Sequence, residues 1–132
     1  MTLKHGDVTD AILNAFYFVY NKLGYGFLEK VYRNALMHEL RKRGFKVECE
    51  VPIRVYYDGV IVGDYYADLI VNGVVLIEIK ACEGIAHEHE VQTINYLKAT
   101  NIEVALILNF GFKPKAVRKV YDNDLKAFVS AE

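Results

Sequence analysis

The sequence predicts a mixed α/β domain of the α+β type, in which two helices precede a small sheet. The period of the apolar residues carries this prediction. Up to about residue 44 apolar residues recur every three to four positions, as in a helix, and over residues 46–57 they recur at every second position, as in a half-buried strand. The 132 residues, 53% of them hydrophobic, fit a single domain over residues 1–132 with its own core.

Two helices are expected at the start of the chain. The first is DVTDAILNAFYFVYNKLG, where Asp7 or Thr9 is expected to cap the start and Gly24 to end the helix. The second is FLEKVYRNALMHELRKRG, which closes on basic residues and Gly44. Its predicted apolar stripe consists of Leu28, Val31, Ala35, Leu36 and Leu40.

An antiparallel three-stranded meander is expected next, from KVECEVPIRVYYDG, VIVGDYYADLIV and VVLIEIKA. Asp58-Gly59 is a hairpin signal, and Asn72-Gly73 separates the second strand from the third. A helix from about His87 to Thr100 and a buried strand over residues 104–110 complete the order α, α, β, β, β, α, β. The tail after Pro114 fits a strand or a helix, and the sequence leaves that choice open.

The composition of the chain limits the kinds of partner that the protein can bind. The formal net charge is only -1, so binding to a nucleic acid must rest on a local basic face. The two cysteines are too few for a disulfide framework or a four-thiolate cluster. The sequence has neither a signal peptide nor an apolar stretch long enough to span a bilayer, so we expect a soluble cytoplasmic protein with no membrane partner.

Glu78 and Lys80 are unusual because they interrupt the apolar run VVLIEIKAC. Alternation along a strand places both on one face, with Ile77 and Ile79 on the other. An unpaired buried charge is costly, which leaves an ion pair, a metal site or an exposed face as explanations.

Asp68 joins that face only if the turn between the strands has the right length. A two-residue Asn72-Gly73 turn places Asp68 on the opposite face. A three-residue loop with a bulge pairs residue 70 with residue 74 and sets Asp68 opposite Leu76, diagonal to Glu78. The sequence fits both, and a functional site requires the second.

Two carboxylates and a lysine on one face suit phosphodiester hydrolysis. Carboxylates are hard oxygen ligands for Mg²⁺ or Mn²⁺, which can acidify a bound water and neutralise charge on a phosphate. The lysine can orient the nucleophile or balance charge.

These residues resemble a known family. Asp68 followed by Glu78-Ile79-Lys80 is similar to the P-D-(D/E)-x-K nuclease superfamily, although Ala67 stands where many members have proline. GFLEKVY, residues 26–32, matches the G-x-x-E-x-x-Y signature of a small prokaryotic family placed in that superfamily. The resemblance covers roughly residues 8–120.

The resemblance implies a restriction-endonuclease-like αβββαβ core with a mixed sheet and an extra N-terminal helix. It implies that Lys80 assists the attacking water, and Gln92 and Tyr96 match a Q-x-x-x-Y pattern found beside related active sites. The catalytic residues it implies are Asp68, Glu78, Lys80, Glu29 and Gln92. The metal ligands it implies are Asp68, Glu78, Glu29 and the carbonyl of Ile79.

Several of these residues also have structural explanations. Glu29 is equally a first-turn acid favoured by the helix dipole, and Gln92 with Tyr96 is equally a packed, hydrogen-bonded pair. The run HEHE over residues 87–90 favours a polar helix start over a metal site, because its two histidines diverge on a helix. We expect three further residues to contact nucleic acid or to support the site, although basic runs are usually solvated. They are Tyr32, Lys113 and Lys115, joined in this role by Tyr96.

The leading hypothesis is a Mg²⁺- or Mn²⁺-dependent deoxyribonuclease with little sequence specificity, structure-selective or end-directed and compatible with a homodimer. The alternative is an inactive nucleic-acid-binding or scaffold protein that retains the nuclease fold. A third hypothesis is a structural dimer in which Glu78 and Lys80 form only an ion pair. The strandedness of the DNA is left open.

Overall fold

The computed structural model describes residues 3–126, over which three α-helices and five β-strands follow one another, the first seven of them in the predicted order. The helices are α1 (Gly6–Leu23), α2 (Glu29–Lys42) and α3 (His87–Lys98). The strands are β1 (Val47–Tyr57), β2 (Val60–Val71), β3 (Val75–Lys80), β4 (Val104–Asn109) and β5 (Lys115–Val120), and a 3₁₀ turn follows at Asn123–Leu125. The sequence left the tail after Pro114 open between a strand and a helix, and the structure forms a strand there, β5. Residues 127–132 of that tail lie outside the described residues.

The five strands form one mixed sheet in the order β1-β2-β3-β4-β5. Strands β3 and β4 run parallel because α3 crosses between them, and the other neighbouring strands are antiparallel. The α+β class, the meander and the mixed sheet are confirmed.

The helices cover both faces of the sheet. Residues of α1 and α2 pack with Val75, Ile77 and Ile79 of β3, whereas α3 packs with Leu76. Alternation along β3 therefore places Glu78 and Lys80 on the face that carries α3. No helix within residues 3–126 combines the length and the apolar character needed to cross a bilayer.

The expected cap of α1 is wrong. The helix begins at Gly6 after His5, which has a left-handed conformation and makes no side-chain cap, so Asp7 and Thr9 both lie inside the first turn. The expected end is correct, since the N–H of Gly24 donates to the carbonyl of Tyr20 at 2.8 Å.

The predicted apolar stripe of α2 is partly wrong. The helix begins only at Glu29, so Leu28 precedes it and is 79% exposed, and Val31 is exposed as well. The buried row instead follows i, i+4 spacing through Tyr32, Leu36 and Leu40, which are fully buried.

The loop between β2 and β3 differs from both registers considered above. Val71 pairs with Val75, so the loop consists of residues 72–74. The reason is that Asn72 is bonded to Lys46, the residue before β1: its N–H donates to the carbonyl of Lys46 at 2.8 Å, and its side-chain oxygen accepts from the N–H of Lys46 at 3.0 Å. This register excludes the pairing of Asp68 with Leu76, because Leu76 pairs with Ile70; continued by one residue beyond Leu69, it leads to Glu78 opposite Asp68.

Candidate active site

Asp68 lies at an interruption of the sheet. The β1–β2 ladder has the same register on both sides of Glu50 and Asp68, which face each other without pairing, and Glu50 has a left-handed φ of 52°. Ala67 packs with the apolar cluster of α3, whereas Leu69 packs with the cluster of α1 and α2. Since residues two apart normally share a face, β2 changes face at Asp68.

The carboxylates of Asp68 and Glu78 replace ladder hydrogen bonds where β2 and β3 separate. The backbone pairing of these strands extends only from Val71 to Leu69 on β2. Beyond it, the N–H of Ile79 donates to Oδ2 of Asp68 at 2.7 Å, and the N–H of Asp68 donates to Oε2 of Glu78 at 3.2 Å. The two carboxylates are thus fixed beside each other by the backbone.

Burial and neighbouring carboxylates disfavour the ionised forms of both groups. Glu78 is only 8% exposed, and burial followed by the charge of Asp68 raises its pKa from 4.5 to about 8. Burial also raises the pKa of Asp68, with a further contribution from the charge of Glu29. A bound cation would relieve this repulsion, which is an electrostatic property expected of a metal site.

Lys80 is close to the pair but is not bound to it. Its positive charge lowers the pKa of both Asp68 and Glu78, yet among residues 3–126 no salt bridge within 4.0 Å involves Lys80. The Glu78–Lys80 ion pair of the third hypothesis is therefore not formed in the described part of the chain.

Glu29 lies in the first turn of α2 and also lines a cavity of about 210 Å³ together with Asp68 and Ile79. The first-turn position expected for Glu29 is confirmed, and its role as a metal ligand stays a prediction. Within the described residues, no three Asp, Glu, His or Cys side chains are grouped closely enough to hold a metal ion. The carboxylate of Glu29 therefore stands apart from those of Asp68 and Glu78.

Three charged residues near Asp68 were not predicted from the sequence: Lys30, Arg33 and Glu50. Lys30 and Arg33 line the same cavity, and Nη1 of Arg33 lies 3.3 Å from Oε1 of Glu50. The i, i+4 spacing of Glu29 and Arg33 could have indicated Arg33. Nothing in the sequence indicated the left-handed conformation that places Glu50 opposite Asp68.

Gln92 and Tyr96 are hydrogen-bonded through Nε2 of Gln92 and the tyrosine hydroxyl. They line a separate cavity of about 610 Å³ between α3 and the β1–β2 hairpin. Burial raises the pKa of Tyr96, and the charges of Glu78 and Asp68 raise it further, so this pair lies within electrostatic reach of the carboxylates.

Tyr32 is fully buried and stacks on Phe110, with ring centroids 4.5 Å apart. The prediction of direct contact between Tyr32 and a nucleic acid is therefore wrong, and the position of Tyr32 leaves it only a role in supporting the site. Lys113 and Lys115 are exposed, and neither forms a salt bridge among residues 3–126.

The HEHE segment begins α3 as a polar helix start. Nδ1 of His89 accepts a hydrogen bond from the N–H of Ala86 at 3.2 Å. The histidine therefore serves the helix terminus, as predicted.

The donor set fits a hard divalent cation. Mg²⁺ is commonly held by one or two carboxylates and completes its octahedral shell with water and phosphate oxygens. Asp68 and Glu78 supply two adjacent carboxylates, each with one oxygen that accepts no protein hydrogen bond among residues 3–126. Their raised pKa values are what closely spaced, partly desolvated metal ligands have in the absence of the ion.

A sequence model of the PD-(D/E)XK nuclease superfamily matches residues 6–120. The chain therefore belongs to this superfamily, which accounts for the restriction-endonuclease-like arrangement of the helices and the mixed sheet. Membership suggests nuclease activity on a nucleic acid, and members typically use divalent metals. No curated protein and no solved structure gives a significant match to the chain.

Proposed function

We propose that the protein is a Mg²⁺- or Mn²⁺-dependent deoxyribonuclease that forms one nuclease domain over residues 1–132. The observation that carries the proposal is the backbone-fixed carboxylate pair of Asp68 and Glu78, with Lys80 on the same strand, in a chain of the PD-(D/E)XK superfamily. The G-x-x-E-x-x-Y motif at residues 26–32 supports placement in the small family of that name.

Each residue has a distinct role in the proposed reaction. Asp68, Glu78 and the carbonyl of Ile79 would hold the metal ion, and Glu29 would complete the acidic cluster. When bound, the ion supplies an acidified water and neutralises charge on the phosphate. Lys80, free of a salt bridge among the described residues, donates hydrogen bonds that orient the attacking water.

The attack is in line and leaves a 3′-hydroxyl and a 5′-phosphate. Gln92 assists from α3, where its hydrogen bond to Tyr96 fixes its side chain. Lys113 and Lys115 contact backbone phosphates, since their charges are not neutralised by acidic partners within residues 3–126.

The proposed enzyme has little sequence specificity. It acts on a particular DNA structure or on ends, and a homodimer is compatible with this activity. Cys49 and Cys82 are both free thiols, which suits the reducing cytoplasm.

One observation favours a second candidate, a nucleic-acid-binding or scaffold protein without turnover. Over residues 3–126 no third acidic side chain closes on the carboxylate pair. Metal-dependent cleavage separates the two candidates.

The test is incubation of single-stranded and duplex DNA with the wild type, Asp68→Asn and Lys80→Met in Mg²⁺ or Mn²⁺. Cleavage by the wild type should fall by at least about 100-fold in each variant, as is typical when a group that stabilises the transition state is removed. Glu48→Gln is the matched control, because Glu48 is an exposed residue of β1. Binding without cleavage in either metal would favour the second candidate, and equal cleavage by the wild type and Asp68→Asn would refute the assigned site.

A further inference from the structure

A third cavity, of about 760 Å³, lies between residues 25–28 before α2 and residues 110–113 after β4, with residues 81–83 completing its lining. We call it the aromatic cleft. Its volume is that of a small-molecule site and accommodates a nucleobase.

Two tyrosine hydroxyls hold the walls of the aromatic cleft in place. The hydroxyl of Tyr32 donates to the carbonyl of Gly24 at 2.6 Å and accepts from the N–H of Phe27 at 3.1 Å. The hydroxyl of Tyr20 lies 2.9 Å and 2.7 Å from the carbonyl oxygens of residues 111 and 112. The side chains on both walls are therefore presented from a fixed backbone.

The floor of the cleft is fixed as well. Asn109 accepts from the N–H of Cys82 and donates to its carbonyl, both at 3.0 Å. Gly111 packs so closely on this floor that an added Cβ would lie 2.0 Å from the carbonyl oxygen of Cys82. The cleft is thus formed before any ligand arrives, which lowers the entropy lost on binding.

Three aromatic rings on the walls remain exposed. Tyr25 is 59%, Phe27 49% and Phe112 66% exposed. The rings of Tyr25 and Phe112 meet edge to face across the cleft, with centroids 5.1 Å apart. Rigid, exposed aromatic rings are the usual platform on which unpaired bases stack.

The charges beside the rings suit a polyanion. Lys113 lines the cleft and Lys115 follows two residues later; both are exposed and form no salt bridge within residues 3–126. Glu83 is the acidic residue in the lining, and its carboxylate can accept hydrogen bonds from a base amino group.

The residues that line the cleft adjoin those of the candidate active site along two chain segments. Ala81 of its lining directly follows Lys80, and Leu28 directly precedes Glu29. The cleft lining and the candidate active site therefore adjoin each other in the chain at two points, before Glu29 and after Lys80.

We propose that the aromatic cleft binds an unstacked base of single-stranded DNA next to the phosphate that is cleaved. This inference rests on the proposed function and specifies its substrate as single strands or frayed ends. The bases of an intact duplex are stacked and paired, so their faces are closed to Tyr25 and Phe112.

The test measures binding without metal, so that no cleavage is required. The probe is a single-stranded oligodeoxynucleotide containing 2-aminopurine, alone or annealed to its complement, followed by fluorescence. We expect tighter binding of the single strand and a change in 2-aminopurine emission on stacking. Tyr25→Ala and Phe112→Ala should each weaken single-strand binding by about 5-fold to 150-fold, as for loss of one stacked base, whereas Phe112→Tyr should retain it.

Tyr57→Ala is the matched control for Tyr25→Ala, because Tyr57 is exposed at the end of β1 and outside the cleft. Equal affinity for single strand and duplex, or unchanged binding by Phe112→Ala, would overturn the inference. Failure of the wild type to bind either DNA would also overturn it and would assign the cleft to another occupant, such as a peptide.

The outcomes for the cleft and for the nuclease are separable. Loss of single-strand binding in the cleft variants, without cleavage by the wild type under any condition, would support the cleft and reject the nuclease. Metal-dependent cleavage by the wild type, with Phe112→Ala binding and cutting normally, would support the nuclease and reject the cleft.

Discussion

Replacing Glu78 with glutamine should stabilise the metal-free protein, and the gain should grow with pH. Glutamine keeps the size of the side chain, and its oxygen can still accept the hydrogen bond from the N–H of Asp68. What it removes is a charge that burial and Asp68 make unfavourable.

The sign and size of the effect follow from the pKa of Glu78. Because the folded pKa, about 8, lies above the ordinary value of 4.5, the folded wild type binds more protons than the unfolded chain between these pH values. The contribution of Glu78 to stability is therefore fully present below pH 4.5 and is lost as the pH rises to about 8. At about 1.4 kcal/mol for each pH unit, the loss is about 3 kcal/mol at pH 7 and about 5 kcal/mol above pH 8.

Urea unfolding in a chelator at pH 5, 7 and 9 measures this difference. Glu78→Gln should be nearly as stable as the wild type at pH 5 and clearly more stable at pH 9, with Glu48→Gln following the wild type throughout. A variant that is less stable at every pH, or a constant difference across the range, would refute the electrostatic account of the pair.

Other substitutions test separate parts of the structure. Lys80→Met should abolish cleavage while leaving the Mn²⁺-dependent rise in melting temperature, because Lys80 donates no ligand; loss of the rise would contradict its role. Gly111→Ala should destabilise by several kcal/mol in thermal unfolding, since its Cβ would lie 2.0 Å from the carbonyl oxygen of Cys82, whereas Gly84→Ala meets nothing within 4 Å and should be nearly neutral. Tyr32→Phe removes the hydroxyl that holds the loop before α2 and should destabilise by about 1–3 kcal/mol in urea, with an unchanged midpoint as the contrary result.

The elements of this fold follow from local patterns. The change of apolar period after residue 44 separates the helices from the sheet, and a glycine ends α1 where predicted. Asp58 and Gly59 both have positive φ, as a two-residue hairpin turn requires. Each of these features depends on residues that are close together in the chain, so the sequence alone was sufficient to predict it.

The details of the site depend on contacts between distant residues. The β2–β3 register is set by hydrogen bonds between Asn72 and Lys46, which lies just before β1 and 26 residues away in the chain, so the residues of the turn could not predict the register. The buried row of α2 follows Tyr32 because the loop before the helix bonds to its hydroxyl. The register that a functional site required is not formed, and Asp68 and Glu78 are instead brought together by the backbone N–H groups of Ile79 and Asp68, which donate to their carboxylates.

The central claim is that Asp68 and Glu78 form a cation site, and thermal unfolding with and without Mn²⁺ tests it most directly. Asp68→Asn is the informative variant, since its side-chain oxygen can still accept the N–H of Ile79. The wild type should gain about 2.7 kcal/mol at 100 times the dissociation constant, and Asp68→Asn should gain nothing over the same concentrations. No gain in the wild type at millimolar Mn²⁺, or the same gain in both proteins, would contradict the account.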